Sequence, residues 1–234
     1  MKYLYNFTND SLSYFIKQYK LHNWWIYNQD INKRYETIEN STYVKELIKK
    51  AEKNKISPDK HEIVSWIDNL SIIYTSLNYT YEINSKACWN LRIIGELHIP
   101  FSNCRCDIAL IKDNKILLIE LSYLKNMSRK EKYEQKLNQV MYYKELLSNA
   151  LPKHIEIATY SFPIEPETDS KGNPELIYSH IAEKEIYKNH DSCYYLGKFI
   201  ATFFQNTLQN AEEELNKYSD DYLIKIQNKT IQTT

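Results

Sequence analysis

The chain has 234 residues, 43% of them hydrophobic, which is enough to bury the core of a single domain spanning residues 1–234. Its 30 basic and 30 acidic residues cancel, so net charge alone neither indicates nor excludes a nucleic-acid partner. No apolar run approaches the length of a membrane span, and the N-terminal MKYLYNFTND lacks the apolar centre of a signal peptide. We therefore expect a cytoplasmic protein with no membrane partner.

Tyrosine is over-represented, with 21 copies against 3 glycines, and lysine, asparagine and isoleucine are abundant. These residues have AT-rich codons, so genome bias explains the composition. Such a bias suits a virus or other mobile element, acting in a microbial cell or a virus-infected host cell. A stacking platform for single-stranded nucleic acid is the alternative interpretation.

The four cysteines are Cys88, Cys104, Cys106 and Cys193, and in an intracellular protein we expect no disulfide framework from them. Cys104 and Cys106 share one face of a strand, and their C-x-C spacing differs from the usual C-x-x-C. Buried small hydrophobes are the favoured interpretation, and a zinc or iron–sulfur site is the alternative.

The first part of the chain predicts helices. In the N-terminal extension, residues 1–55, Asp10 or Ser11 can cap an aromatic helix, and a second, charged helix lies around 42–53. Ser57-Pro58-Asp59 is a good helix start, and the residues after it repeat apolar side chains at helical spacing.

The middle of the chain predicts strands around one helix. Three extended segments, one long helix and one further strand are expected at about 86–100, 103–112, 115–122, 128–149 and 155–162. Asp113-Asn114 predicts a tight hairpin between the second and third segments. The order α-β-β-β-α-β over residues 56–162 indicates an α/β fold with a mixed sheet flanked by helices.

The C-terminal part has three prolines and a glycine between Pro163 and Asp191, which predicts a loop or insertion over 163–190. The remainder, 191–234, is expected to be a helical extension, with an amphipathic helix from Cys193 to Lys217.

Two acids fall on the predicted hairpin, Asp107 on one strand and Glu120 on its partner. Side chains alternate along a strand, so Asp107 shares a face with Arg105. Two carboxylates held close repel one another, and a divalent cation resolves that conflict. A solvated strand end, or a salt bridge from Glu120 to Arg105 or Lys125, is the alternative. Because further motif residues follow, we favour the metal site.

Those further residues are Gln139 and Tyr143, four apart and therefore on one face of the predicted helix. Together with the acids, the segment Gln139-Val-Met-Tyr-Tyr143 resembles the PD-(D/E)XK nuclease superfamily, in its RecB-type branch that includes CRISPR-associated iron–sulfur exonucleases. The resemblance covers His61 to Tyr160 and implies a restriction-endonuclease-like core.

The resemblance implies a site that binds Mg²⁺ or Mn²⁺ through Asp107 and Glu120. His61, in the segment KHEIV, matches a further histidine ligand of this branch, although a solvated first-turn residue is the alternative. Leu121, directly after Glu120, completes the implied metal-binding set. Glu96 and His98 share a face of the first strand, where they either join the site or pair with a basic side chain.

Two departures from the family pattern stand out. The cysteines that would hold an iron–sulfur cluster are missing, so no cluster is expected. Ser122 occupies the position of the usual catalytic lysine; a serine can orient water but brings no positive charge. Lys125 and Lys136 are the candidates to replace that lysine. The resulting catalytic set is Asp107, Glu120, Ser122, Lys125, Gln139 and Tyr143.

The run from Lys125 to Lys136 is basic on balance and can follow a phosphate backbone, although charged helices are more often solvated. The candidate nucleic-acid contacts are Lys125, Arg129, Lys132, Lys136, Gln139 and Tyr143. The resemblance implies a metal-dependent deoxyribonuclease acting on DNA that is single-stranded or has free ends, with a homo-oligomer as a further possibility. The alternative is a catalytically inert nuclease-fold protein that binds nucleic acid or a protein partner.

Overall fold

The computed structural model describes residues 2–21, 31–100, 102–123, 129–168, 174–182, 185–189 and 192–205. Over these residues the chain forms an α/β fold in which a mixed seven-stranded sheet carries helices on both faces. None of the helices in the described ranges is long and apolar enough to cross a membrane.

The N-terminal part contributes a strand as well as the predicted helices. Strand β1 (Tyr5–Thr8) is followed by helices α1 (Asn9–Gln18), α2 (Ile31–Ile38) and α3 (Thr42–Lys53). The expected cap at Asp10 or Ser11 was wrong by two or three residues, because the Thr8 side chain accepts the Ser11 backbone N–H at 3.2 Å. The purely helical prediction missed β1, whose antiparallel partner lies far along the chain at Arg92 to Gly95.

The central elements follow the predicted order. They are helix α4 (Lys60–Asn84), strands β2 (Arg92–His98), β3 (Arg105–Lys112) and β4 (Lys115–Tyr123), helix α5 (Arg129–Ala150) and strand β5 (Glu156–Thr168). A short 3₁₀ turn, Ser85–Cys88, connects α4 to β2. Asp59 caps α4 by accepting the Glu62 backbone N–H at 2.8 Å, so the predicted helix start at Ser57-Pro58-Asp59 is confirmed.

The sheet topology puts β4 at its centre. Lys112 pairs with Lys115 across the Asp113-Asn114 turn, which confirms the tight hairpin between β3 and β4. Strand β5 runs parallel to β4 after the α5 crossover, whereas the other strand pairs are antiparallel. From Ile116 to Glu120, β4 is fully buried because helices cover both of its faces.

The prediction of a loop over 163–190 was wrong for much of that range. Strand β5 continues to Thr168, and two further strands, β6 (Pro174–Ala182) and β7 (Glu185–Asn189), extend the sheet. Helix α6 (Ser192–Phe203) begins where the C-terminal helix was expected. The rest of that predicted helix, beyond residue 205, lies outside the described residues.

Two hydrophobic clusters fill the space on either side of the sheet. The larger one lies under α1, α4 and α6, where Trp66, Leu70 and Ile200 are almost completely buried. The smaller one lies under α5, centred on Val140, Tyr143 and Leu147. We refer to these as the α4 face and the α5 face of the sheet.

Candidate functional site

The sheet is interrupted at Glu96 and Asp107, which lie on adjacent strands. The pairing of β2 with β3 is regular up to Gly95 opposite Ile108, omits these two residues and resumes with Leu97 opposite Cys106. Ile108 packs on the α4 face, whereas Cys106, two residues earlier, packs on the α5 face, so side-chain alternation reverses at Asp107. The pairing of β3 with β4 also ends here, at Ile108 opposite Ile119, so the backbone N–H groups of Asp107 and Leu121 are free to bind acidic side chains.

Those freed groups join the two predicted acids. The Asp107 backbone N–H donates to Oε1 of Glu120 at 3.2 Å, and the Leu121 backbone N–H donates to Oδ2 of Asp107 at 2.8 Å. Each carboxylate therefore accepts a hydrogen bond from the strand that carries the other. The sequence prediction that the hairpin brings Asp107 and Glu120 together is confirmed.

Lys136 of α5 reaches the same acids. Its Nζ lies 2.7 Å from Oε2 of Glu120, and its side chain is only 15% exposed, beside a Glu120 side chain that is 0% exposed. Burial alone would lower the pKa of Lys136, but the carboxylates of Glu120 and Asp107 outweigh it and raise that pKa. Lys136 therefore carries a positive charge at the acids, rather than lying on a solvated helix face.

Lys136 brings one positive charge to two carboxyls, so these three groups together are negative when both carboxyls are ionised. Burial, and then the neighbouring charge of Asp107, raise the pKa of Glu120 to about 8, against a lowering by Lys136. Burial also raises the pKa of Asp107, although Lys136 and the Leu121 N–H act in the opposite direction. Because these pKa values are raised, a bound cation would compete with a proton for the pair.

On the α4 face a second charged group adjoins Asp107. Arg105 lies 2.7 Å from Oε1 of Glu62, on α4, through Nη2 and 2.9 Å from Oε2 of Glu96, on β2, through Nη1. Glu96 adopts a φ of 53°, in the left-handed region, at a cost on the order of 1–2 kcal/mol for a non-glycine residue. Burial, followed by the charge of Asp107, raises the pKa of Glu96. Of the two options left open for Glu96, the ion pair is the one observed.

Gln139 and Tyr143 lie on the part of α5 that follows Lys136. The Gln139 amide Nε2 donates to the Tyr143 hydroxyl, which is buried against the smaller hydrophobic cluster. Burial raises the pKa of Tyr143, and the Gln139 hydrogen bond lowers it. Tyr143 therefore packs in the core, and the hydrogen bond agrees with the expectation that the two residues share one helix face.

The remaining predicted residues fall in three places. His61 is exposed in the first turn of α4, and no hydrogen bond or ion pair among the described residues joins it to Asp107 or Glu120. His98 is exposed at the end of β2. Partial burial of its imidazole, and then the charges of Lys2 and Arg105, lower its pKa. Lys125 lies outside the described residues, as do the side chains of Ser122, Arg129 and Lys132.

The four cysteines are free thiols: Cys88, Cys106 and Cys193 are buried and Cys104 is partly buried. Cys104 and Cys106 both pack into the cluster on the α5 face, in agreement with the expected shared face. The interpretation of these cysteines as small buried hydrophobes fits this packing.

The acids suit a hard cation with few protein ligands. Within the described part of the chain, no group of three or more His, Cys, Asp and Glu side chains is arranged to hold a metal ion. Asp107 and Glu120 would therefore be the carboxylate ligands, and water or substrate oxygens would complete the coordination, as Mg²⁺ commonly requires.

Comparisons with models of protein families, with curated proteins and with solved structures found no match to this chain.

Proposed function

We propose that the protein is a Mg²⁺- or Mn²⁺-dependent deoxyribonuclease with a restriction-endonuclease-like core, acting on DNA that is single-stranded or has free ends. The observation that carries the proposal is the contact of Lys136 with the Glu120–Asp107 pair. Ser122 leaves the usual motif position without a cation, and Lys136 supplies one to the same acids from the neighbouring helix. The order α4-β2-β3-β4-α5-β5 supports the resemblance to the superfamily.

The proposed chemistry divides between the acids and the lysine. A bound Mg²⁺ or Mn²⁺ supplies Lewis acidity, which favours ionisation of the attacking water and offsets charge on the phosphate. Asp107 and Glu120 would hold the cation through their carboxylates. Lys136 orients the attacking water and stabilises negative charge as the phosphorus–oxygen bond to the leaving group breaks.

Gln139 and Tyr143 are proposed to act by positioning Lys136 relative to Glu120. Tyr143 packs α5 against the sheet through the smaller hydrophobic cluster, Gln139 binds its hydroxyl, and this packing would fix the height of Lys136 above Glu120. The candidate nucleic-acid contacts that precede them on α5 would extend the DNA path along the helix.

The test is cleavage of labelled single- and double-stranded DNA by the purified protein with Mn²⁺ or Mg²⁺. Asp107→Asn and Glu120→Gln should each lower the rate by about 10³-fold or more, because each removes a charged ligand. Glu156→Gln is the matched control, since Glu156 is 56% exposed on β5 and pairs with Lys115 instead. Retained DNA binding without cleavage under all conditions would favour the alternative, an inert nuclease-fold protein.

A further inference from the structure

The four N-terminal helices enclose a cavity that is separate from the acids. It has a volume of about 260 Å³ and lies between α1, α2, α3 and α4, and none of the acids of the candidate site lines it. Protein interiors are close-packed, and voids larger than a water molecule are few. An engineered cavity of about 150 Å³ takes up benzene, whereas drug-sized ligands occupy roughly 300–1,000 Å³. The volume therefore suits a ligand of one or two fused rings.

Buried polar contacts hold the walls of this cavity in place. Arg34 of α2 and Asp68 of α4 form an ion pair whose side chains are 4% and 1% exposed. At the end of α1, the carbonyl of Leu21 accepts a hydrogen bond from the Ser71 hydroxyl of α4 at 2.6 Å. Leu21 and Ile67, the neighbour of Asp68, both line the cavity. Breaking either contact would leave a buried polar group without its partner, which opposes a collapse of the helices into the space.

Three aromatic rings form a continuous part of the lining. The ring centroid of Phe15 lies 5.1 Å from that of Tyr19 and 4.0 Å from that of Tyr43, and the two tyrosine rings are 6.2 Å apart. Aliphatic side chains, including Ile38 and Ile67, line the cavity as well. A flat aromatic ring packs favourably against such side chains, in offset or edge-to-face contact.

The charge around the cavity is positive. Lys20 carries the one charged side chain among the lining residues, and it is exposed, so it lies where the cavity meets solvent. Helix α3 begins at the same cavity, with Ser41 as its cap and no acidic residue in its first turn, so the positive end of its dipole adds to the charge of Lys20. Aromatic rings can also hold a cation, but both of these features repel one. The mouth of the cavity therefore favours an acidic group.

We propose that this cavity binds a small aromatic acid. Its ring system of one or two rings would pack against Phe15, Tyr19 and Tyr43, and its acidic group would lie beside Lys20 at the mouth. The site is separate from the candidate nuclease site, and the inference does not rest on the proposed function.

The test compares three ligands that share one naphthalene ring system: the anion naphthoate, the neutral naphthamide and the cation naphthylmethylammonium. Calorimetric titration of the wild-type protein should show naphthoate binding about fivefold more tightly than naphthamide, and the cation binding most weakly. Naphthoate at roughly tenfold above its Kd should also raise the Tm by about 3–6 °C. If none of the three ligands bound by either measurement at millimolar concentration, the proposal would be wrong.

Two variants locate the ligand and its acidic group. Thr37 lines the cavity and is exposed on α2, so the indole of Thr37→Trp should obstruct the mouth without entering the core. This variant should melt close to the wild-type temperature and bind all three ligands at least about tenfold more weakly, because the buried ring contacts are lost. Lys20→Met should lower the affinity for naphthoate alone, by about fivefold, to the level of naphthamide.

Lys55→Met is the matched control for Lys20→Met. Both lysines are exposed, follow a helix and adopt a left-handed φ, 55° at Lys20 and 60° at Lys55, but Lys55 lies beyond the far end of α3. Lys55→Met should bind all three ligands as the wild type does. Unchanged affinity in Thr37→Trp would place the ligand outside this cavity, and tighter binding of the cation than of naphthoate would overturn the assignment of an acid.

Discussion

On the α5 face of the sheet, a fully buried Glu120 contacts Lys136. On the α4 face, Glu96 and Glu62 share an arginine whose side chain is 30% exposed. Burial strengthens charge interactions and makes an uncompensated charge costly, while exposure screens both effects. Charge interactions are therefore stronger on the α5 face. On the α4 face they are weaker because water screens them.

Asp107 connects the two faces, because the charges of both Lys136 and Arg105 act on it. The difference between the two cations indicates which one the proposed chemistry would depend on. A buried cation beside two acids is preorganised and needs no rearrangement when charge develops on a substrate. An exposed arginine that already holds two carboxylates is better suited to fixing the shape of the site.

The largest effect that would test this contrast is expected from Lys136→Met, which keeps the unbranched chain up to the ε position and removes the ammonium group with its charge. The cleavage rate should fall by about 10²–10³-fold, as for the loss of one preorganised electrostatic contact. The fold should survive, because Glu120 can take up a proton once its cation is removed. Steady-state cleavage and thermal denaturation measure the two quantities.

Lys144→Met is the matched control for that substitution, since Lys144 lies further along α5 and only partly buried. It should cleave DNA at the wild-type rate. Adding Ser122→Lys to Lys136→Met should restore part of the lost activity, because it returns a lysine to the position that the family resemblance assigns to it. A rate in Lys136→Met equal to that of wild type would contradict the proposed role of Lys136.

The pH dependence of metal binding tests the buried acids on the α5 face. Glu120 has a folded-state pKa of about 8, above its ordinary value of 4.5, so the folded protein holds more protons than the unfolded chain between these values. Stability without metal should therefore decrease as the pH rises from about 4.5 to about 8. Because a metal ligand must lose its proton, Mn²⁺ affinity should increase over the same approach to pH 8, by up to about tenfold per pH unit.

Calorimetric titration with Mn²⁺ between pH 6 and pH 8, in buffers that differ in ionisation enthalpy, measures the affinity and the proton released. Glu120→Gln should release no such proton and should flatten the dependence of stability on pH. Affinity that is independent of pH in the wild-type protein would show that Glu120 is already ionised.

How far the sequence predicts this site can be judged from particular residues. The hairpin turn and strand alternation are local, so they predicted that Asp107 and Glu120 would meet, and helical spacing named Lys136 as one of two candidate lysines beside them. The positive φ of Glu96 and the pairing of β1 with β2 depend on contacts between distant segments, which no local pattern contains. The second half of β5 and strand β6 were expected to be a loop or insertion because prolines at 163, 166 and 174 lie within them.

The smallest effect is expected from Arg105→Gln on the exposed side. Loss of the guanidinium leaves Glu96 buried without a cation, and its already raised pKa allows it to become neutral by taking up a proton. Partly exposed ion pairs contribute about 0–1 kcal/mol, so the equilibrium constant for unfolding and the cleavage rate constant should each change by less than about tenfold.

A double-mutant cycle with Glu96→Gln, followed by thermal denaturation and cleavage, measures the coupling between Arg105 and Glu96. In the Glu96→Gln background, Arg105→Gln should cost less than it does alone, because the carboxylate that it served is gone. If Arg105→Gln lowered the cleavage rate as much as Lys136→Met does, the two cations would be equally important for cleavage. The distinction between the two faces would then be wrong.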